Sequence, residues 1–156
     1  MTLLAHYDSA LRDAEIARIR RVLALRGLLG EGFSQGQLAA RFGLTQPAIS
    51  YQVASERTEG VKPSDVLEAG RDILRQVAED RGFRRLAVFG SVAKGVDEPS
   101  SDLDFIVQPP PEAGLSELLE LRETLARIVG REVDLVTYGG LDPELDRDIL
   151  QDVVLV

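Results

Sequence analysis

The residues able to do chemistry lie between Gly90 and Asp134. Gly90-Ser91 follows an apolar run, Leu86 to Phe89, and ten residues separate it from Asp102-Leu103-Asp104. A glycine just past a strand lets the backbone approach a phosphate closely, and Ser91 adds a hydroxyl and an N–H. Asp102 and Asp104 are two apart on an expected strand, so both carboxylates leave one face, roughly 6.6 Å apart along the backbone. Such carboxylates suit Mg²⁺, a hard cation that keeps waters and takes phosphate oxygens as further ligands. Asp134 is the third piece. Strands disfavour aspartate and burying an unpaired charge is costly, a cost that metal binding would remove. With its strand beside that of Asp104, three carboxylates would hold two Mg²⁺ about 3.5–4 Å apart. This equipment fits nucleotidyl transfer. Gly90 and Ser91 would hold the β- and γ-phosphates, and Asp134 would accept the proton of the attacking hydroxyl. Lys94 would offset triphosphate charge, although it reads equally well as an ordinary surface lysine.

Composition narrows the chemistry further. The 156 residues contain no cysteine, which removes disulfides and cysteine zinc sites. The single histidine, His6, lies near a terminus expected to be mobile, so acid–base work falls to carboxylates and metal. No apolar run reaches the roughly 18 residues of a membrane span and no signal-peptide core is present, so a cytoplasmic location is expected. The net charge of −8 is uneven: residues 1–60 carry +1 and residues 61–156 carry −9. An acidic C-terminal part does not grip a nucleic-acid backbone by itself.

The elements that position these residues are legible in order. Leu11 to Leu29 has helical spacing, with Ile16, Ile19, Leu23 and Ala24 apolar. Its Arg18, Arg20, Arg21 and Arg26 read as a solvated face, the sharper alternative being contact with phosphates or an acidic partner. Ser34 stands three before Gln37, a capping-box spacing that starts a helix over Gln35 to Phe42, ended by Gly43. Thr45 caps a third helix, with Pro47 tolerated in its first turn. QLAARFGLTQPAISYQV is similar to the helix-turn-helix of phage-repressor-type regulators. In that motif the helix from Gln46 enters the major groove, so Gln46, Ser50 and Gln52 become DNA-binding candidates, with protein docking as the other use. Gln52 departs from the pattern, since an apolar residue is more usual there.

Arg57 to Pro63 reads as a connection, giving domains 1–58 and 64–156 with a linker at 59–63. Ser64 caps a helix of about seventeen residues with an apolar stripe. Strands follow over Arg84–Phe89 and Leu103–Gln108, the second ended by Pro109-Pro110-Pro111. A helix over Ser116–Val129, a strand over Glu132–Thr137, a short acidic helix over Leu141–Leu150 and a Val153–Val156 tail complete the chain. The tail would add an edge strand or cover the core. The fold class is α+β: an all-α helix-turn-helix domain, then a small mixed sheet flanked by helices.

Gly90-Ser91, Asp102-x-Asp104 and the late Val-Asp-Leu-Val strand together resemble the nucleotidyltransferase superfamily that includes DNA polymerase beta. The AKG loop, SDLDF and VDLV are most similar to its minimal nucleotidyltransferase (MNT) family. Lys94 stands where an arginine is more common, keeping charge but losing a bidentate grip. The resemblance covers about Pro63 to Val156 and implies a polymerase beta-like domain. It implies ATP as substrate, transfer of AMP to a tyrosine hydroxyl, and an antitoxin role beside a small all-helical HEPN toxin. Asp102, Asp104 and Asp134 would be the metal ligands, with Gly90 and Ser91 on the nucleotide. No stretch supplies an acceptor pocket, which favours a substrate brought by another protein. A regulator that binds nucleotide without turnover is the alternative, and a homodimer is left open because helix-turn-helix regulators commonly dimerise.

Overall fold

The computed structural model describes residues 1–156. Helix α1 spans Leu3–Gly30, α2 Gln35–Phe42, α3 Gln46–Val53 and α4 Pro63–Glu79. Strand β1 (Arg84–Phe89) runs into the short α5 (Gly90–Lys94), followed by β2 (Leu103–Gln108), α6 (Leu115–Val129), β3 (Val133–Thr137), α7 (Arg147–Asp152) and β4 (Val154–Leu155). The sheet order is β3-β2-β1-β4, with β2 and β3 parallel and the other neighbours antiparallel. The strands at 84–89 and 103–108 and the helix at 35–42 have the expected bounds.

Period-2 alternation divides the sheet into two faces. Leu86, Val88, Leu103, Phe105, Val107 and Val133 join the main core with α1, α4 and α6. Asp104, Ile106, Asp134 and Phe89 occupy the alternate positions. The candidate carboxylates therefore lie on the face turned from the helical layer. No helix is long and apolar enough to cross a membrane.

Three expectations change. First, α1 begins at Leu3 rather than Leu11, because the Thr2 hydroxyl accepts from the Ala5 N–H and caps it. His6 is exposed within that helix rather than in a loose terminus. Second, α4 is capped by Asp97, whose Oδ2 accepts from the Ser64 N–H at 2.9 Å; Ser64 itself sits inside the first turn. Third, the late helix is only Arg147–Asp152. The Asp142 side chain accepts from the Glu144 and Leu145 N–H groups, an arrangement that competes with helix. The tail supplies an edge strand against β1, and Val156 is buried.

Helix α1, within residues 1–58, packs on both of the expected parts. Ile16, Ile19 and Leu23 belong to the main core, while Leu25 packs with Leu38, Ala39 and Ile49 of α2 and α3. Residues 59–63 are not a free tether: Val61 packs on the main core and Pro63 is buried. Arg26 is buried and joins the parts. It donates to the carbonyls of Val53, Ala54 and Ile128 and to the Thr58 hydroxyl, over 2.9–3.2 Å. Arg18 donates to Glu15 and the Arg57 carbonyl, and Arg20 to the Ala69 carbonyl. Of the four arginines read as a basic face, only Arg21 makes no bond within the chain.

Candidate active site

Strand pairing assembles the site. Asp104 on β2 lies opposite Phe89 of β1 on one side and Asp134 of β3 on the other. Both aspartates thus project from adjacent strands at one level of the sheet. Gly90 follows Phe89 at once, with φ 72°, and any Cβ there would overlap Oδ2 of Asp104. Glycine is required twice over, by the left-handed backbone and by the carboxylate against it. Ser91 follows in the first turn of α5, half-buried, and Gly95 ends that helix with φ 71°.

Electrostatics mark the same point. Burial pushes the Asp104 carboxyl up from an ordinary 3.8 to about 6, helped by a hydrogen bond with Asp134 and by the charges of Asp134 and Asp102. None of the three aspartates has a lysine or arginine ion-pair partner. Asp102 is exposed just before β2 and reaches Asp104 through its charge alone. The three therefore form a close pair with a third carboxylate outside it, not a closed ligand set. Arg131 is near enough to feel the Asp102 charge and Arg122 lines the groove beside Asp134, but neither pairs directly with a carboxylate. Crowded carboxylates left without an ion-pair partner fit a hard divalent ion.

Lys94 is exposed at the end of α5 and bonds to no protein group. Gln46 and Ser50 are exposed on α3, Gln46 donating to the Gln35 side chain at 3.3 Å. Gln52 is separate from them, half-buried in an apolar groove against α1. Helical geometry explains the split: Gln52 is two residues past Ser50, on nearly the opposite side of α3.

Two features escape the sequence pattern. Arg131 donates to the carbonyls of Pro99 and Ser101 at 3.2 Å and to that of Val61. It thereby fixes the loop that delivers Asp102, from a position that reads only as a charged residue after Gly130. Beside Asp134 lies a groove of about 280 Å³, lined by Phe89, Leu118, Leu119, Arg122, Leu135 and Val136 among others. This groove is absent from the sequence reading, in which no stretch supplies an acceptor pocket. The exposed Leu115 and Leu119 on α6, a helix otherwise read as core, are the sequence trace of this groove.

A small mixed sheet with paired aspartates facing a strand-end glycine is the polymerase beta-like nucleotidyltransferase arrangement. The chain belongs to the nucleotidyltransferase domain family, whose model matches residues 71–156, and it is of the minimal type. A solved structure described as a minimal nucleotidyltransferase aligns at TM-score 0.55 and 31% identity, covering 60% of this chain and 95% of that one. A Methanocaldococcus jannaschii protein named as a protein adenylyltransferase is 34% identical over 73 residues, 47% of this chain and 78% of that protein. The protein adenylyltransferase MntA of Thermococcus cleftensis is 33% identical over 82 residues, 53% of this chain and 83% of its own. Helices α1 to α3 lie outside the family match.

Proposed function

We propose that this nucleotidyltransferase transfers AMP from ATP to a hydroxyl on a partner protein. The observation that carries the reading is the Asp104–Asp134 pair, crowded, without a direct ion-pair partner, and set against Gly90. Asp102, Asp104 and Asp134 would hold two Mg²⁺, which supply charge neutralisation for the triphosphate and acidify the acceptor hydroxyl. Gly90 and Ser91 present backbone N–H groups and a hydroxyl to the β- and γ-phosphates, and Lys94 lends charge from the end of α5. The acceptor oxygen attacks the α-phosphorus. A new O–P bond forms, the bond to the β-phosphate bridge breaks, and pyrophosphate leaves. Asp134, exposed at the groove, takes the hydroxyl proton. Arg131 holds the Asp102 loop in place.

The groove beside Asp134 supports a large, partly apolar acceptor, because Phe89, Leu118 and Leu119 suit a ring while Asp134 meets its hydroxyl. The similarity to proteins named protein adenylyltransferases, and the resemblance to MNT antitoxins, favour a tyrosine of a HEPN-type toxin. The exposed Gln46 and Ser50 on α3 leave that helix free for operator DNA or a docking partner. Incubation with labelled ATP, Mg²⁺ and the product of the neighbouring gene tests the reading. Label is expected on the partner and lost with Asp102→Ala or Asp104→Ala. Equal labelling by those variants would remove the site assignment. ATP binding without turnover on any partner would favour a nucleotide-sensing regulator.

A further inference from the structure

Helix α1 has a second apolar face, open over its first half and only partly covered by α2 and α3 toward Ala24 and Leu28. Ile16, Ile19 and Leu23 point into the core, yet Leu3 is 87%, Leu4 78% and Tyr7 65% exposed, and Leu11 is also exposed. The buried residues of α1 begin only at Ile16; Arg12 ties the helix to α4 through Asp65 and Glu68, and the turns before it project as an arm. Leu3, Tyr7, Ala10, Ala14, Ala17, Arg21, Ala24 and Leu28 recur at alternating spacings of four and three, the seam of a helix pair. At the far end of that seam lies an apolar groove of about 290 Å³, formed by Ala24, Leu25 and Leu28 of α1 with Phe42 and Leu44 from the α2–α3 turn. Phe42 and Leu44 are exposed in the single chain.

We propose that this face is a two-fold interface with a second copy of the chain, the two α1 helices packing antiparallel. The seam is self-complementary in that direction and only one register satisfies it throughout. Leu3 then lies opposite Leu28 of the second copy, Tyr7 opposite Ala24, Ala10 opposite Arg21, and Ala14 opposite Ala17. Tyr7 and Arg21 meet alanines, the leucines meet at the two ends, and alanines face each other at the axis, where the backbones approach to about 8 Å. Tyr7 enters the second copy's groove between α1 and Leu44, and by symmetry the exchange is made twice, as an isologous contact requires.

Charge selects the same register. Asp13 flanks the seam and makes no bond within its own chain. In the antiparallel pair its neighbour is Arg20 of the second copy, whose Nε is held by the Ala69 carbonyl while its terminal nitrogens are free. A parallel pair would bring the Leu3–Tyr7 arms together and leave both grooves empty. The inference does not depend on the nucleotidyl chemistry, since no residue of the interface belongs to the aspartate site.

Sedimentation of the full chain tests it. The wild type is expected at twice its 17.1 kDa. Ala14→Glu places a carboxylate against Ala17 of the second copy at both symmetric positions, so it should sediment at the monomer mass while keeping a cooperative thermal transition. Asp13→Arg and Arg20→Glu should each weaken the dimer about tenfold, and the double reversal should restore it, a result that an unrelated occupant of the face would not give. A wild type at monomer mass, a dimer untouched by Ala14→Glu, or a double reversal without rescue would each overturn the proposal.

Discussion

Asp104 titrates near 6 because it is half-buried and its neighbour across the sheet is another carboxyl. The ionised form is penalised in the folded state. That cost is absent below about pH 4, where the carboxyl is protonated in both states, and is complete above about pH 6. Asp104→Asn should therefore stabilise the metal-free protein, by about 1 kcal/mol at neutral pH once solvent screening is allowed for, and by nothing near pH 4. Thermal melts at the two pH values check the sign. Adding Mg²⁺ should raise the melting temperature of the wild type and leave Asp104→Asn unmoved. Gly90→Ala meets both a positive φ and the Asp104 carboxylate. It should lose Mg²⁺–ATP binding by calorimetry, and affinity equal to the wild type would contradict the proposed role of Gly90.

Elements are legible in the sequence where their punctuation is local. Strands β1 and β2 stand out because their apolar runs stop at Gly90 and Pro109, and α2 because Ser34, Gln37 and Gly43 mark both its ends. The level pairing of Asp104 with Asp134 follows from the strand pattern once β2 and β3 are adjacent, but the adjacency itself is long-range. The first turns of α1 are illegible for the opposite reason: their apolar residues pack on nothing in the chain. Asp97 is equally hidden, since it caps a helix more than thirty residues away. Packing adds a constraint of the same long-range kind at Gly70 of α4, where a Cβ would overlap the Leu23 side chain of α1. Leu23 is fully buried and has no room to yield. Gly70→Val should cost about 1–3 kcal/mol through overpacking, read from denaturant midpoints at unchanged slope.

At the scale of the whole molecule, one buried arginine joins the helical front to the nucleotidyltransferase domain. Arg26 has no anionic partner, but it meets the last carbonyls of α3 and α6, where helix dipoles favour a cation. Its replacement by leucine leaves those acceptors unpaired and should cost about 2–4 kcal/mol. Arg26→Lys should recover only part of that, having three donors in place of five. Nothing in the order of residues distinguishes Arg26 from the exposed Arg21, because the difference is set by Val53, Thr58 and Ile128 arriving from elsewhere. The tie also makes the aspartate site and the α2–α3 pair parts of one packed body. The central claim, transfer of AMP onto a partner at the Asp102, Asp104 and Asp134 site, is tested most directly by following which phosphate moves. With Mg²⁺ and the neighbouring gene's product, ATP labelled at the α-phosphate should label the partner, and ATP labelled at the γ-phosphate should leave its label in pyrophosphate. Label on the partner from the γ-position, or α-label that persists in Asp104→Asn, would contradict the account.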